Sequence, residues 1–203
     1  MIYGGFEYFA PIIFKSQIGK IINFDNLPSP PCVLAVNHVS PYDPILIVLM
    51  LYDWIKKYNK KLVFLTNPKV IPLFGPFYKT LGGFKGTKQG LKDAFRFIEK
   101  GMPICIFANR DRRAKIMKRF HLGPAYIASI AKVPLVPMGL ISKHEVFPSN
   151  DVFQMIKNFF YKKNLIIGEP FYLQKEISLL KTTELLTQKV AAMIGKTIVP
   201  TNK

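Results

Sequence analysis

The stretch Cys32-Val33-Leu34-Ala35-Val36-Asn37-His38-Val39-Ser40-Pro41-Tyr42-Asp43-Pro44 joins an apolar run to a polar pair, a turn and an acid placed before proline. An unbroken apolar run behind the prolines Pro28, Pro30 and Pro31 reads as a strand buried on both faces. Asp43-Pro44 reads as a helix start, because proline's fixed φ and missing N–H suit the first helical position. A strand that passes through a short polar turn into a helix is half of a βαβ unit. The segment therefore predicts an α/β fold with a mostly parallel central sheet flanked by helices.

The pattern continues in both directions. Toward the C-terminus, strands are expected over 32–36, 62–65, 103–107, 134–140 and 165–167, with helices over 43–57, 88–100, 123–132 and 182–198. The helix over 88–100 carries Leu91, Ala94, Phe95 and Ile98 on one face and is stopped by Gly101. Residues 71–81 are broken by Pro72, Gly75 and Pro76, and Gly82-Gly83-Phe84-Lys85-Gly86 reads as a turn. Pro44 to Leu51 is apolar on every helical face, which calls for burial or insertion into lipid, with burial preferred. No repeat or long linker divides the chain, so residues 22–203 are read as one domain. Residues 1–21 precede it as an aromatic-rich amphipathic segment suited to a membrane surface, split by Pro11 into two short pieces.

The chain has 29 Lys and Arg against 12 Asp and Glu, a formal charge of +17. An excess of this size attracts phosphates, whether of anionic lipid, nucleic acid or a small substrate. Zinc-ligand spacings and RNP-like aromatic motifs are lacking, and the basic residues are scattered among apolar segments, so nucleic acid is not the expected partner. Phe159-Phe160-Tyr161-Lys162-Lys163 sets aromatics beside lysines, as an interfacial contact does. Cys32 and Cys105 lie in apolar runs and imply neither a disulfide framework nor a metal site. With no apolar run long enough to span a bilayer and no signal-peptide pattern, the expected location is cytoplasmic, peripheral on the inner face of the cell membrane.

His38 and Asp43 are the chemical core of the opening stretch. An imidazole with an ordinary pKa near ~6.5 takes a proton at neutral pH, and a carboxylate on its other nitrogen fixes the tautomer and stabilises the imidazolium. Asp43 also suits a helix cap, and both readings fit the spacing. His121 and His144, the other histidines, lack a comparable acid and read as structural or surface residues.

Asn37, His38 and Asp43 match the Asn-His-four residues-Asp motif, and the chain here resembles the glycerolipid acyltransferases, typified by 1-acyl-glycerol-3-phosphate acyltransferase. Gly82-Gly83-Phe84-Lys85-Gly86-Thr87-Lys88 resembles the second motif, with Lys88 in place of a phosphate-holding arginine. Phe107-Ala108-Asn109-Arg110-Asp111-Arg112-Arg113 falls on the third, where only Phe107 and Arg112 are retained. Asn109 and Arg110 there replace glutamate and glycine. Lys118 to Ala128 is similar to the segment that follows, Val133-Pro134-Leu135-Val136-Pro137-Met138-Gly139 to the fourth motif, and Gly168-Glu169-Pro170 to a late turn. The likeness covers about residues 22–198.

The resemblance implies a glycerol-3-phosphate acyltransferase-like fold and an O-acyltransferase of phospholipid biosynthesis. The acyl group would pass from acyl-CoA or acyl carrier protein, as co-substrate, to the hydroxyl of a lysophospholipid or glycerol-phosphate acceptor. His38 would be the base and Asp43 its orienter, with Asn37, Lys88, Asn109, Arg110 and Arg112 binding substrate. No metal or bound cofactor is expected. The altered third motif leaves a second possibility open: a catalytically altered member that binds lipid or acylates another acceptor, such as an amino lipid.

Overall fold

Strand β2, Val33–Val36, is buried along its whole length and sits at the middle of the sheet. In the computed structural model, residues 3, 5–40, 42–66, 83–85, 87–108, 116–142, 160–173 and 177–198 are described. β2 pairs in parallel with β7 (Leu135–Ser142) on one side and β5 (Ile104–Phe107) on the other, Val33 lying opposite both Leu135 and Ile104. Beyond β5 come β3 (Val63–Thr66) and β4 (Gly83–Lys85), also parallel. Beyond β7, β8 (Lys163–Ile167) is antiparallel, and β1 (Ile18–Ile22) runs alongside β8. The order is β1-β8-β7-β2-β5-β3-β4, a mostly parallel mixed sheet.

Alternation along β2 divides the interior into two cores. Leu34 and Val36 face α2 (Asp43–Met50) and α3 (Tyr52–Tyr58), burying against Leu46, Ile47, Leu51 and Ile55. Val33 and Ala35 face α4 (Lys88–Glu99), α5 (Gly123–Ala131) and α6 (Leu179–Ile194), against Ala94, Ala128, Leu186 and Val190. The apolar segment from Pro44 to Leu51 is thus an internal helix, with Ile45, Leu46, Ile47, Val48 and Met50 buried. α1 (Phe6–Phe14) packs on the same side as α2 through Ala10 and Phe14.

Several boundaries differ from the sequence reading. The N-terminal segment is not split at Pro11; α1 runs through it to Phe14, the proline removing one backbone bond from the interior of the helix. The helix expected over 43–57 breaks at Leu51, whose φ of −98° and ψ of 13° leave the helical region and start α3. The glycine turn contains strand β4, with Phe84 opposite Leu65. The closing helix starts earlier and stops at Gly195, which takes a left-handed φ of 64° while Lys196 N bonds Ala191 O at 2.9 Å. Thr197–Ile198 (β9) then pairs with Ile116–Met117 (β6) in a small second sheet. No helix among the described residues is long and apolar enough to cross a membrane.

Candidate active site

In parallel sheets of this kind, ligands gather beyond the carboxyl ends of the strands, and β2 delivers Asn37 and His38 there. Asn37 is buried, and its side-chain amide is spent on the neighbouring strand: Nδ2 donates to Leu140 O at 2.9 Å, and Leu140 N donates to Oδ1 at 2.6 Å. This pair of bonds ties the end of β2 to β7 and fixes where His38 leaves the sheet.

Asp43 opens α2, and its carboxylate turns back toward the loop before it. Oδ2 accepts from His38 Nδ1 at 2.7 Å, from Val39 N at 2.7 Å and from Ser40 N at 2.8 Å. The same oxygen therefore shapes the loop and holds the ring. Because a carboxylate only accepts, Nδ1 carries the proton, and in the neutral ring Nε2 holds the lone pair. Asp43 is fully buried, whereas the His38 side chain keeps 20% of its surface exposed. The imidazole also lies against Phe107 of β5, ring centroids 4.5 Å apart, and Phe107 stacks on Phe64 at 6.1 Å. Hydrogen bond and ring contact together set the plane of the imidazole.

The two thiols are not competing nucleophiles. Burial pushes Cys32 up to about 12 and Cys105 well above its ordinary value, Cys105 being raised further by Cys32 and by the Asp43 charge. His121 is exposed and its backbone N–H bonds Ala108 O at 3.1 Å, bringing the start of α5 back beside the end of β5. Among the described residues no group of His, Cys, Asp and Glu could hold a metal ion.

The expected phosphate contacts are placed less completely. Lys88 is the first residue of α4, whose start is capped by Thr87, its Oγ1 accepting from Gly90 N at 3.2 Å. Asn109, Arg110 and Arg112 lie outside the described residues, as does His144. The chain enters that loop from Ala108, whose N–H bonds Val36 O at 2.9 Å, one residue before Asn37.

One polar cluster escapes the sequence reading. Lys163, part of the aromatic-lysine run expected at an interface, is fully buried, and its Nζ donates to Gln17 Oε1 at 2.9 Å, Gln17 being buried as well. The signal lies in the strand period: Lys163, Leu165 and Ile167 alternate inward along β8.

The chain matches the family model described as Acyltransferase over residues 20–141. Seven chains of solved structures also match. One is the 1-acyl-sn-glycerophosphate (LPA) acyltransferase PlsC from Thermotoga maritima, 16% identical, with a TM-score of 0.70 over 95% of this chain and 78% of that one. No curated protein matches. At that identity the structural likeness concerns the fold, while the family match spans more than half of the chain and includes the His38 and Asp43 loop. From the matched residues, the chain belongs to the acyltransferase family.

Proposed function

We propose that the protein transfers a fatty acyl group from a thioester donor, acyl-CoA or acyl carrier protein, to the hydroxyl of a phosphate-bearing glycerolipid such as 1-acyl-glycerol-3-phosphate. The observation that carries this reading is the His38 Nδ1 to Asp43 Oδ2 bond of 2.7 Å, which leaves Nε2 as the accepting nitrogen. His38 Nε2 takes the acceptor's hydroxyl proton as its oxygen attacks the thioester carbonyl, and returns a proton to the departing thiolate. Asp43 holds the tautomer and balances the imidazolium. The Thermotoga maritima protein of like fold, an acyltransferase acting on 1-acyl-sn-glycerophosphate, supports a lysophosphatidate-like acceptor. Lys88, Arg110 and Arg112 are assigned to its phosphate, a role suited to cations, and Asn109 to substrate binding. The reaction uses no metal or bound cofactor. The enzyme reaches lipid as a peripheral protein on the inner face of the cytoplasmic membrane, with the segment 1–21 as its docking element and 22–203 as the acyltransferase domain.

The test is thiol release from acyl-CoA and acyl carrier protein thioesters with a panel of lysolipids. The parent should release thiol with a phosphate-bearing acceptor, and His38→Ala should abolish it. Asp43→Asn should lower kcat by about 10²–10⁴-fold, as loss of the orienting carboxylate does elsewhere. Equal release by parent and His38→Ala, or none with any acceptor, defeats the reading.

A further inference from the structure

We propose that the exposed apolar stripe of α5 docks an acidic carrier protein bearing the acyl thioester, so that the donor arrives on the side of the sheet opposite to α1. The inference deepens the acyltransferase reading above and rests on it.

The stripe departs from the usual make-up of a surface helix. α5, Gly123–Ala131, holds no charged side chain. Its inward positions Ala125, Ile127 and Ala128 fill the core that also holds Val33 and Ala35. Its outward positions, where a helix on a globular protein turns charges to water, carry Tyr126 and Ile130, and Leu122 precedes them at the N-cap. Steps of four set the three on one face, over about 12 Å at the helical rise of about 1.5 Å per residue. In chain order they are 47%, 39% and 58% exposed. A single exposed apolar residue calls for no partner, but three in succession along an uncharged face form a contact surface.

That face starts at the rim of the site. His121 N–H reaches Ala108 O at 3.1 Å, and Ala108 N–H reaches Val36 O at 2.9 Å, two residues before His38. A donor seated on the start of α5 therefore has its thioester beside the carboxyl ends of β5 and β2.

Charge and sidedness select the occupant. From Arg112 to His144 the sequence contains no Asp or Glu and seven Lys or Arg. Lys118 and Lys132 are exposed on either side of the helix. Glu184 of α6, the acid described beside this segment, is engaged by Arg119 at 3.5 Å. A second copy of this chain would set the same cations face to face, whereas an acidic partner meets them with opposite charge. Lipid is assigned to the other side. α1 turns Tyr8, Phe9, Ile12 and Ile13 outward from the α2 layer, while α5 lies with α4 and α6 across the sheet. One flat bilayer cannot lie along both helices. A small apolar patch flanked by cations also suits a carrier that must leave after each transfer, since limited area gives a transient complex and charge speeds its formation.

The test uses the full chain, a fluorescently labelled acyl carrier protein loaded with a palmitoyl thioester, and a lysophosphatidate acceptor. Tyr126→Ser with Ile130→Ser should weaken carrier binding, read as anisotropy, and raise KM for the carrier thioester by about tenfold or more. The kcat at saturating carrier should be retained, with circular dichroism reporting the fold. Lys132→Glu should weaken binding by about threefold or more at low salt, and the difference should shrink as salt is raised. Unchanged binding and KM in the folded double variant would overturn the proposal. So would a parent that binds no carrier, whether or not it uses acyl-CoA. A double variant that keeps carrier binding but loses vesicle sedimentation, or turns a dimeric parent into a monomer, overturns it in favour of lipid or a second copy. A parent that binds the carrier through these residues but transfers no acyl group defeats the reaction assigned above and leaves the docking face standing.

Discussion

At the scale of single residues, the site is built from side chains committed to fixed partners. Asn37 spends its amide on Leu140, Asp43 spends one oxygen on the loop and the ring, and Phe107 supports the ring's face. The family resemblance makes Asn37 a substrate contact, whereas its described bonds make it a fastener of strands. Asn37→Ala would strand the buried N–H and C=O of Leu140 together. It is expected to cost about 2–4 kcal/mol in urea unfolding, because each unsatisfied buried group costs roughly 1–3 kcal/mol. Unchanged stability would show that the amide bonds are dispensable and return Asn37 to the substrate.

At the scale of elements, close approach matters more than propensity. β1 and β8 meet at Gly19, where a Cβ would lie 2.5 Å from the Lys163 carbonyl oxygen and closer still to Asn164 Oδ1. The backbone there cannot give way without disturbing the pairing of Ile18 with Lys163. Gly19→Ala is therefore expected to destabilise by about 1–3 kcal/mol, the usual cost of overpacking, seen as a lower midpoint in denaturant. A midpoint equal to the parent's would mean that β1 moves freely on β8. The sequence does not announce β1 at all. Its partly exposed residues, with glycine second and lysine in the middle, carry neither the continuous apolar run of β2 nor a clean alternation. Edge strands are specified by the partner they find, and this partner lies far along the chain.

At the scale of the whole molecule, charge and one apolar face point the same way. The net charge of +17 suits an anionic surface, and α1 presents Tyr8, Phe9, Ile12 and Ile13 outward, each more than half exposed. Apolar side chains entering lipid and about 1 kcal/mol per nearby Lys or Arg are together enough for reversible docking. Phe9→Ser with Ile12→Ser should reduce sedimentation with phosphatidylglycerol vesicles by about tenfold or more while leaving the fold intact. Raised salt should weaken what remains. Equal sedimentation of parent and double variant would remove α1 from the membrane contact.

The residues of the dyad, the central strands and the helices that cover them are legible from order alone. Apolar runs, turn formers and the spacing from Asn37 to Asp43 act locally, and local chemistry is written in the chain. Which oxygen of Asp43 receives His38, where the Asn37 amide goes and why Lys163 turns inward required the folded molecule. Two of those outcomes depend on groups more than a hundred residues apart, Asn37 with Leu140 and Gln17 with Lys163. Only packing the strands side by side brings such groups within hydrogen-bond distance, and burial makes a bond left unmade there costly.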